Sequence, residues 1–406
     1  MHFERQAMTD DFLPYGKQTI TQADLDAVAR ALQQPLLTTG PLVGEFETAF
    51  ASRVGAGEAV ACSNGTAALH LAAMALGLGP DDVVLAPTQS FMASANGPHY
   101  TGAKIVFMDC DPDTGLVTRE TFLAALERAG GKASAAVIVH LNGEMADMAA
   151  IAAEAQPRGI RLIEDACHAI GTRFAHDGAM ADVGSCKYSD MACFSLHPVK
   201  TITMGEGGVV TTNDAALASD MRIKRSHGIS REPSGFVNKD MAFDSDGSVN
   251  PWYHEMQAPG FNYRATDFSC ALGLSQLGQL DHFIERRKAL KARYDQLLAG
   301  FHPSIAVVPT AQDCDPCRHL YPVLIDFALI GKSRATVMAE LHALGIGTQV
   351  HYIPVHLQPY YRELDPELDL PGAVRYYERA LSLPLYPLMQ DSDADRVVDA
   401  LRKVLG

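Results

Sequence analysis

Phe194-Ser195-Leu196-His197-Pro198-Val199-Lys200, followed by Thr201-Ile202-Thr203-Met204-Gly205-Glu206-Gly207-Gly208-Val209-Val210, is the stretch on which the reading of this chain turns. A short apolar run leads into a polar turn that ends in one lysine. A Gly-rich break and a second β-prone run follow. A lysine held between buried strands sits where desolvation lowers its pKa. Such an amine can form a Schiff base with a carbonyl. Taken alone, a turn lysine is more often a solvated surface residue, so its neighbours in the fold must decide.

Upstream, apolar runs alternate with helical patterns. Strands are expected at 59–62, 83–87, 105–108, 136–140 and 160–165. Helices are expected at 67–76, from the stretch 88–96, at 121–129 and at 148–155. This rhythm predicts an α/β fold, a mostly parallel sheet with helices on both faces. Ligands of such sheets sit beyond the carboxyl ends of the strands. The polar residues that end strands are therefore the candidates: Ser63-Asn64-Gly65-Thr66, 88–91, His140-Leu141-Asn142, Asp165 with His168, and 195–200.

Asp165 ends an apolar strand, where a buried carboxylate is costly without a cationic partner. Lys200 lies 35 residues on, after the next strand. A pyridinium ring between them would use both, the lysine through the aldehyde and the acid through the ring nitrogen. Pyridoxal phosphate catalysis uses such a pair. Strand, small polar turn and helix start at Gly65-Thr66-Ala67 form an anion site, with Ser195 as a further hydroxyl donor and Phe91 available to the ring face.

The flanking regions read more simply. Helices are expected at 21–32 and 43–54, after a loose leader over 1–12. The polar segment 227–259 holds the single tryptophan, Trp252, and reads as a long loop of the functional or mobile kind. One long helix is expected from 268 to 298, linking to a smaller α+β part with strands at 320–327 and 346–352 and helices at 333–344, 373–381 and 391–405. Two domains are expected, 13–270 for cofactor binding and 271–406 as the small C-terminal domain. A chain of 406 residues, 47% hydrophobic and 20% charged, has the length for this.

Net charge is −15, which disfavours nucleic acid and anionic membranes as partners. The eight cysteines are scattered in apolar contexts, unlike a secreted disulfide framework. Cys314-Asp315-Pro316-Cys317 is a lone CxxC without the further ligands a zinc site needs, and no metal is expected. The segment MHFERQAMTDDFLPYG lacks a signal-peptide apolar run, and no stretch approaches the roughly 18 apolar residues of a membrane span. The expectation is a soluble, cytoplasmic protein.

Three motifs carry a family resemblance: Ser63-Asn64-Gly65-Thr66-Ala67-Ala68-Leu69-His70; Glu164-Asp165-Ala166-Cys167-His168-Ala169-Ile170-Gly171; and the opening stretch with Gly205-Glu206-Gly207-Gly208. They resemble the sugar aminotransferases of the DegT/DnrJ/EryC1/StrS family from about Pro14 to the C-terminus. The resemblance implies a type I aspartate aminotransferase-like fold and a homodimer with shared active sites. It implies pyridoxal 5′-phosphate on Lys200, with Gly65, Thr66, Ala67 and Ser195 at the phosphate. Phe91 would lie on the ring, Asp165 at its nitrogen, and His168 in support. Asn262 would reach the phosphate of the neighbouring subunit, and His197, His227, Arg264 and Tyr352 would face substrate.

Ser226-His227-Gly228-Ile229, Trp252-Tyr253-His254-Glu255-Met256-Gln257 and the segment 351–361 resemble the pseudaminic acid branch. That branch aminates C4 of a UDP-linked 4-keto-6-deoxy-N-acetylhexosamine with glutamate as donor. Two departures stand near the expected site. Leu196 replaces a usual aromatic, and Asn142-Gly143-Glu144-Met145 replaces a small-Gly-Gln-Pro pattern. Both bear on the sugar rather than the reaction. A sugar dehydratase would carry histidine in place of Lys200. Another sugar aminotransferase, for a perosamine- or legionaminic-type intermediate, and a cofactor-binding regulatory protein are the alternatives. A DNA-binding module of the kind such a regulator would carry is not visible in the sequence.

Overall fold

The computed structural model describes residues 11–311 and 313–406. Seven strands form the central sheet: β1 (Glu58–Cys62), β2 (Val83–Pro87), β3 (Lys104–Met108), β4 (Ala135–Val139), β5 (Arg161–Asp165), β6 (Met191–Ser195) and β7 (Gly208–Thr212). Their order is β1-β7-β6-β5-β4-β2-β3. Every strand runs parallel except β7, which pairs antiparallel with both β1 and β6.

Alternation along the strands sends successive side chains to opposite faces. In β1, Ala59 and Ala61 join a core with Phe46, Phe50 and Phe194, whereas Val60 and Cys62 join a second core with Leu69 and Leu71. Phe46 and Phe50 lie on the helix Pro41–Val54. Phe194 meets Phe50 edge-on, with ring centroids 5.1 Å apart. Full burial of such a ring contributes roughly 1.5–3 kcal/mol. Both faces are therefore covered, as a parallel sheet requires.

The smaller part of the chain is a three-stranded antiparallel sheet. Tyr321–Ile325 lies between Ile305–Val307 and Ala380–Leu383. Helices Leu280–Leu298, Arg334–Ala343 and Asp391–Leu405 pack around a core that includes Tyr294, Val323, Leu381, Val397 and Leu401.

Four expectations need correction or limit. The helix expected over 268–298 is two helices, Asp267–Leu277 and Leu280–Leu298. The break falls at Gly278-Gln279, where the Gln279 side chain donates to buried Asp24 at 2.9 Å. Segment 346–352 is no strand. It makes isolated bridges from Ile346 to Leu13 and from Gln349 to Ser382, and residues 349–352 are committed to a cavity wall instead. The helix expected over 373–381 is Pro371–Arg379, because the fully buried run Ala380–Leu383 pairs with Tyr321–Leu324 as a strand. Most of the leader lies outside the described residues. Among those described, no helix is long and apolar enough to cross a membrane.

Candidate active site

The carboxyl ends of β1, β5 and β6 open into one cavity of 990 Å³. Gly65, Thr66, Ala67, Phe91, Asp165, His168, Ser195, His197, Lys200 and Tyr352 all line it.

Lys200 sits on a tightly anchored turn. The Leu196 N–H donates to Gly207 O at 2.8 Å and the Met204 N–H to Leu196 O at 2.9 Å, while the Lys200 N–H donates to His197 O. Thr201, Ile202, Thr203 and Met204 are buried behind it. Burial of the amine holds its pKa below the usual lysine range, opposed by Cys167 and Asp165. A lysine so placed spends more time as the neutral nucleophile and base.

Beside it, the helix Gly65–Ala75 starts on an Asn64 cap whose Oδ1 accepts from the Ala67 N–H at 2.8 Å. This occupies the amide of Ala67, so the expected phosphate donation narrows to Gly65 and Thr66, whose amides open the helix. Glycine is required at 65 by contact, not by torsion: a Cβ there would stand 2.8 Å from the Ser195 Cβ. Gly208 has the same duty, since its Cβ would meet Asn64 O at 2.2 Å.

Asp165 is buried, and both of its oxygens accept hydrogen bonds. Oδ2 accepts from Ser94 Oγ at 2.5 Å and Oδ1 from the Cys167 N–H at 3.2 Å. His168 is also buried. Its Nδ1 accepts from the Asn142 N–H at 3.3 Å, which leaves the ring proton on Nε2, beside Tyr352 Oη at 3.1 Å. Burial, then the charge of Lys200, pushes its pKa well below the usual histidine value, so the ring is neutral. Phe91 presents its ring at the mouth, 5.9 Å from that of Tyr352.

Three other sequence candidates are not in the wall of this cavity. Asn262 and His227 are exposed, and Arg264 donates to Ser226 Oγ at 3.1 Å. Nor does either departure face the cavity. Leu196 is fully buried in the core with Phe194 and Ile202. Glu144 is buried against Arg318, whose Nε donates to it at 2.8 Å. His140, watched as a strand-end residue, is buried and paired with Glu164 at 2.7 Å. Cys314 and Cys317 are free thiols, and the described residues hold no group of metal ligands.

Sequence reasoning gave no site role to Tyr15, His319 and His351, which also line the cavity, beside Ser90 of the candidate stretch 88–91. Ser94 behind it was missed as well. Tyr15, His319 and His351 come from outside the strand-and-helix rhythm, and no local spacing marks them. The residues present fit pyridoxal 5′-phosphate: a helix start that only glycine can form, an acid with ordered hydrogen bonds, and a desolvated lysine share one wall.

The sequence profile of the DegT/DnrJ/EryC1/StrS aminotransferase family matches residues 18–402. The spore coat polysaccharide biosynthesis protein SpsC of Bacillus subtilis (strain 168) is 37% identical over 397 residues, 97% of each chain. Among solved structures, Helicobacter pylori PseC, an aminotransferase involved in the biosynthesis of pseudoaminic acid, superposes with a TM-score of 0.86 at 25% identity. That match covers 97% of this chain and 99% of PseC. Spr1654 from Streptococcus pneumoniae matches with a TM-score of 0.84 at 25% identity, over 97% and 98% of the two chains, and is solved in PLP and PMP forms.

Proposed function

The chain belongs to the DegT/DnrJ/EryC1/StrS aminotransferase family, whose cofactor is pyridoxal 5′-phosphate, and on that premise we propose that it aminates a nucleotide-linked keto sugar. The specific reading is transfer from glutamate to C4 of a UDP-linked 4-keto-6-deoxy-N-acetylhexosamine, in pseudaminic acid-type nonulosonate synthesis. The observation that carries it is the meeting of Lys200, Asp165 and the Gly65 helix start in one cavity. A second reading, another 4-keto sugar destined for a surface polysaccharide, is favoured by the 37% identity to SpsC.

Bound here, pyridoxal 5′-phosphate supplies an electron sink and a carrier for the amino group. The amides of Gly65 and Thr66 and the Ser195 hydroxyl hold its phosphate. Asp165 holds a proton at the ring nitrogen, and Phe91 covers a ring face. Lys200 Nζ would be the covalent anchor; once free, it would take the proton from the donor's α-carbon as general base and deliver it, as general acid, to the cofactor carbon that receives the nitrogen. His168 supports the cofactor, and Tyr352, 3.1 Å from its Nε2, meets substrate together with His197.

The chain works as a cytoplasmic homodimer of two-domain subunits, divided at 13–270 and 271–406. In that dimer Asn262 reaches the second copy's phosphate, and Arg264 and His227 serve the shared sites. The test is incubation of the holoenzyme with glutamate and a panel of UDP-4-keto sugars, read by mass. A product aminated at C4 supports the reading. Amination of none of the panel, with glutamate leaving the cofactor spectrum unchanged, overturns it.

A further inference from the structure

Ser90 and Asp165 of the cavity wall are joined through Ser94 behind it in a hydroxyl–carboxylate chain. Ser90 Oγ lies 2.6 Å from Ser94 Oγ, and Ser94 Oγ lies 2.5 Å from Asp165 Oδ2. Both serines are buried, at 2% and 0% exposure. The direction of the protons follows from donor arithmetic. An ionised carboxylate only accepts, so Ser94 must donate its single proton to Asp165. Ser94 then has no proton for Ser90, so Ser90 donates to Ser94. Ser90, which lines the cavity, is left with lone pairs only.

The two serines flank Phe91 in sequence, on the turn that enters the helix Ala93–His99. The Ser94 N–H donates to Phe91 O at 3.2 Å. One turn therefore presents the ring and carries the hydroxyls that hold the acid. With Cys167 N–H on Oδ1 and Ser94 on Oδ2, the carboxylate is held from two sides before any ligand arrives. A buried carboxylate missing one of these donors is both less well satisfied and freer to rotate.

We propose that Ser94, backed by Ser90, is a positioning residue that fixes the Asp165 carboxylate for the cofactor ring nitrogen. The proposal rests on the reading of Asp165 as the ring-nitrogen partner. Pyridoxamine 5′-phosphate is the right probe, because it lacks the aldehyde that Lys200 anchors and is held by non-covalent contacts alone.

Its dissociation constant is measured by equilibrium dialysis for the wild type, Ser94→Ala, Ser94→Thr, Ser90→Ala and Asp165→Asn, with circular dichroism on each. Expected are a loss of tenfold or more in Ser94→Ala, recovery to within about threefold in Ser94→Thr, and an intermediate loss in Ser90→Ala. Tenfold corresponds to about 1.4 kcal/mol. Wild-type affinity in a folded Ser94→Ala, with Asp165→Asn impaired, overturns the proposal alone. Wild-type affinity in Asp165→Asn overturns the reading of Asp165 and the proposal with it. Should Ser94→Ala not fold, wild-type affinity in Ser90→Ala overturns the chain.

Discussion

Gly65 and Ser195 approach so closely that a Cβ on Gly65 would stand 2.8 Å from the Ser195 Cβ and 3.3 Å from its Cα. The helix start and the end of β6 therefore hold one geometry between them. Gly65→Ala must push the two apart. Equilibrium dialysis is expected to show cofactor affinity lowered at least tenfold, with overpacking costing roughly 1–3 kcal/mol of stability. Unchanged affinity would place the anion site elsewhere.

Lys200 is the covalent anchor in the proposed function. Borohydride reduction of the holoenzyme, followed by peptide mass analysis, should find the cofactor on Lys200 and on no other lysine. Lys200→Ala should lose turnover and the visible absorbance of the bound cofactor. Full activity in that variant would sink the assignment.

Three histidines of the cavity wall, His168, His319 and His351, are held neutral by burial and by the charge of Lys200, the last with a pKa near 3. Their folded-state values lie below the unfolded value of roughly 6.5. The unfolded chain therefore binds more protons below that pH, and stability rises with pH up to about 6.5 and falls below it. Each fully shifted group contributes a slope of about 1.4 kcal/mol per pH unit there. His70 and His356 act in the same direction. Urea unfolding of the apoprotein at pH 7.5, 6.5 and 5.5 should show a falling midpoint at the lowest pH, and His351→Gln should flatten it. A midpoint constant from pH 6.5 to 5.5 would contradict the neutral assignments.

Leu196 is fully buried, away from the cavity. Leu196→Phe should overpack the core by about 1–3 kcal/mol and lower the melting temperature. The ratio of kcat/KM values between two sugar substrates should stay the same. A changed ratio would give this position a role in choosing the sugar.

Glu144 and Arg318 are 1–2% exposed as side chains. Glu144→Ala strands a buried guanidinium and should cost about 3–5 kcal/mol. Replacing both, as Glu144→Leu with Arg318→Met, should recover much of that loss in urea denaturation. Equal losses in the single and double variants would argue against coupling.

The strand-and-helix rhythm made the main site legible. Ligands lie beyond the carboxyl ends of parallel strands, so sequence alone groups Gly65, Asp165 and Lys200 at one end of the sheet, where one cavity brings them together. The chain from Ser90 through Ser94 to Asp165 was not legible, because a hydrogen bond between residues 71 apart leaves no local pattern. The segment 346–352 reads as a strand, yet residues 349–352 line a cavity, and composition does not distinguish the two. The break at Gly278-Gln279 was hidden for a different reason: helical periodicity continues on both sides, and a lone glycine is tolerated within a helix. Arg264 and His227 lie outside the cavity wall because loops place side chains by tertiary contacts, not by period.

The reversed strand β7 also sets an order of assembly. β1 stands at the sheet edge with β7 as its neighbour, so the strand that leads into the anion site has no place in the sheet until residues 208–212 exist. Closing that loop joins Cys62 to Gly208 across nearly 150 residues of chain, a non-local pairing that carries its entropy cost before its contacts form. During synthesis β1, which leads into the Gly65 helix, therefore waits on a strand that follows Lys200 in the chain. The Gly65 helix start and the Lys200 turn are brought together late, and a chain truncated before β7 carries Lys200 without the strand that joins β1 to β6.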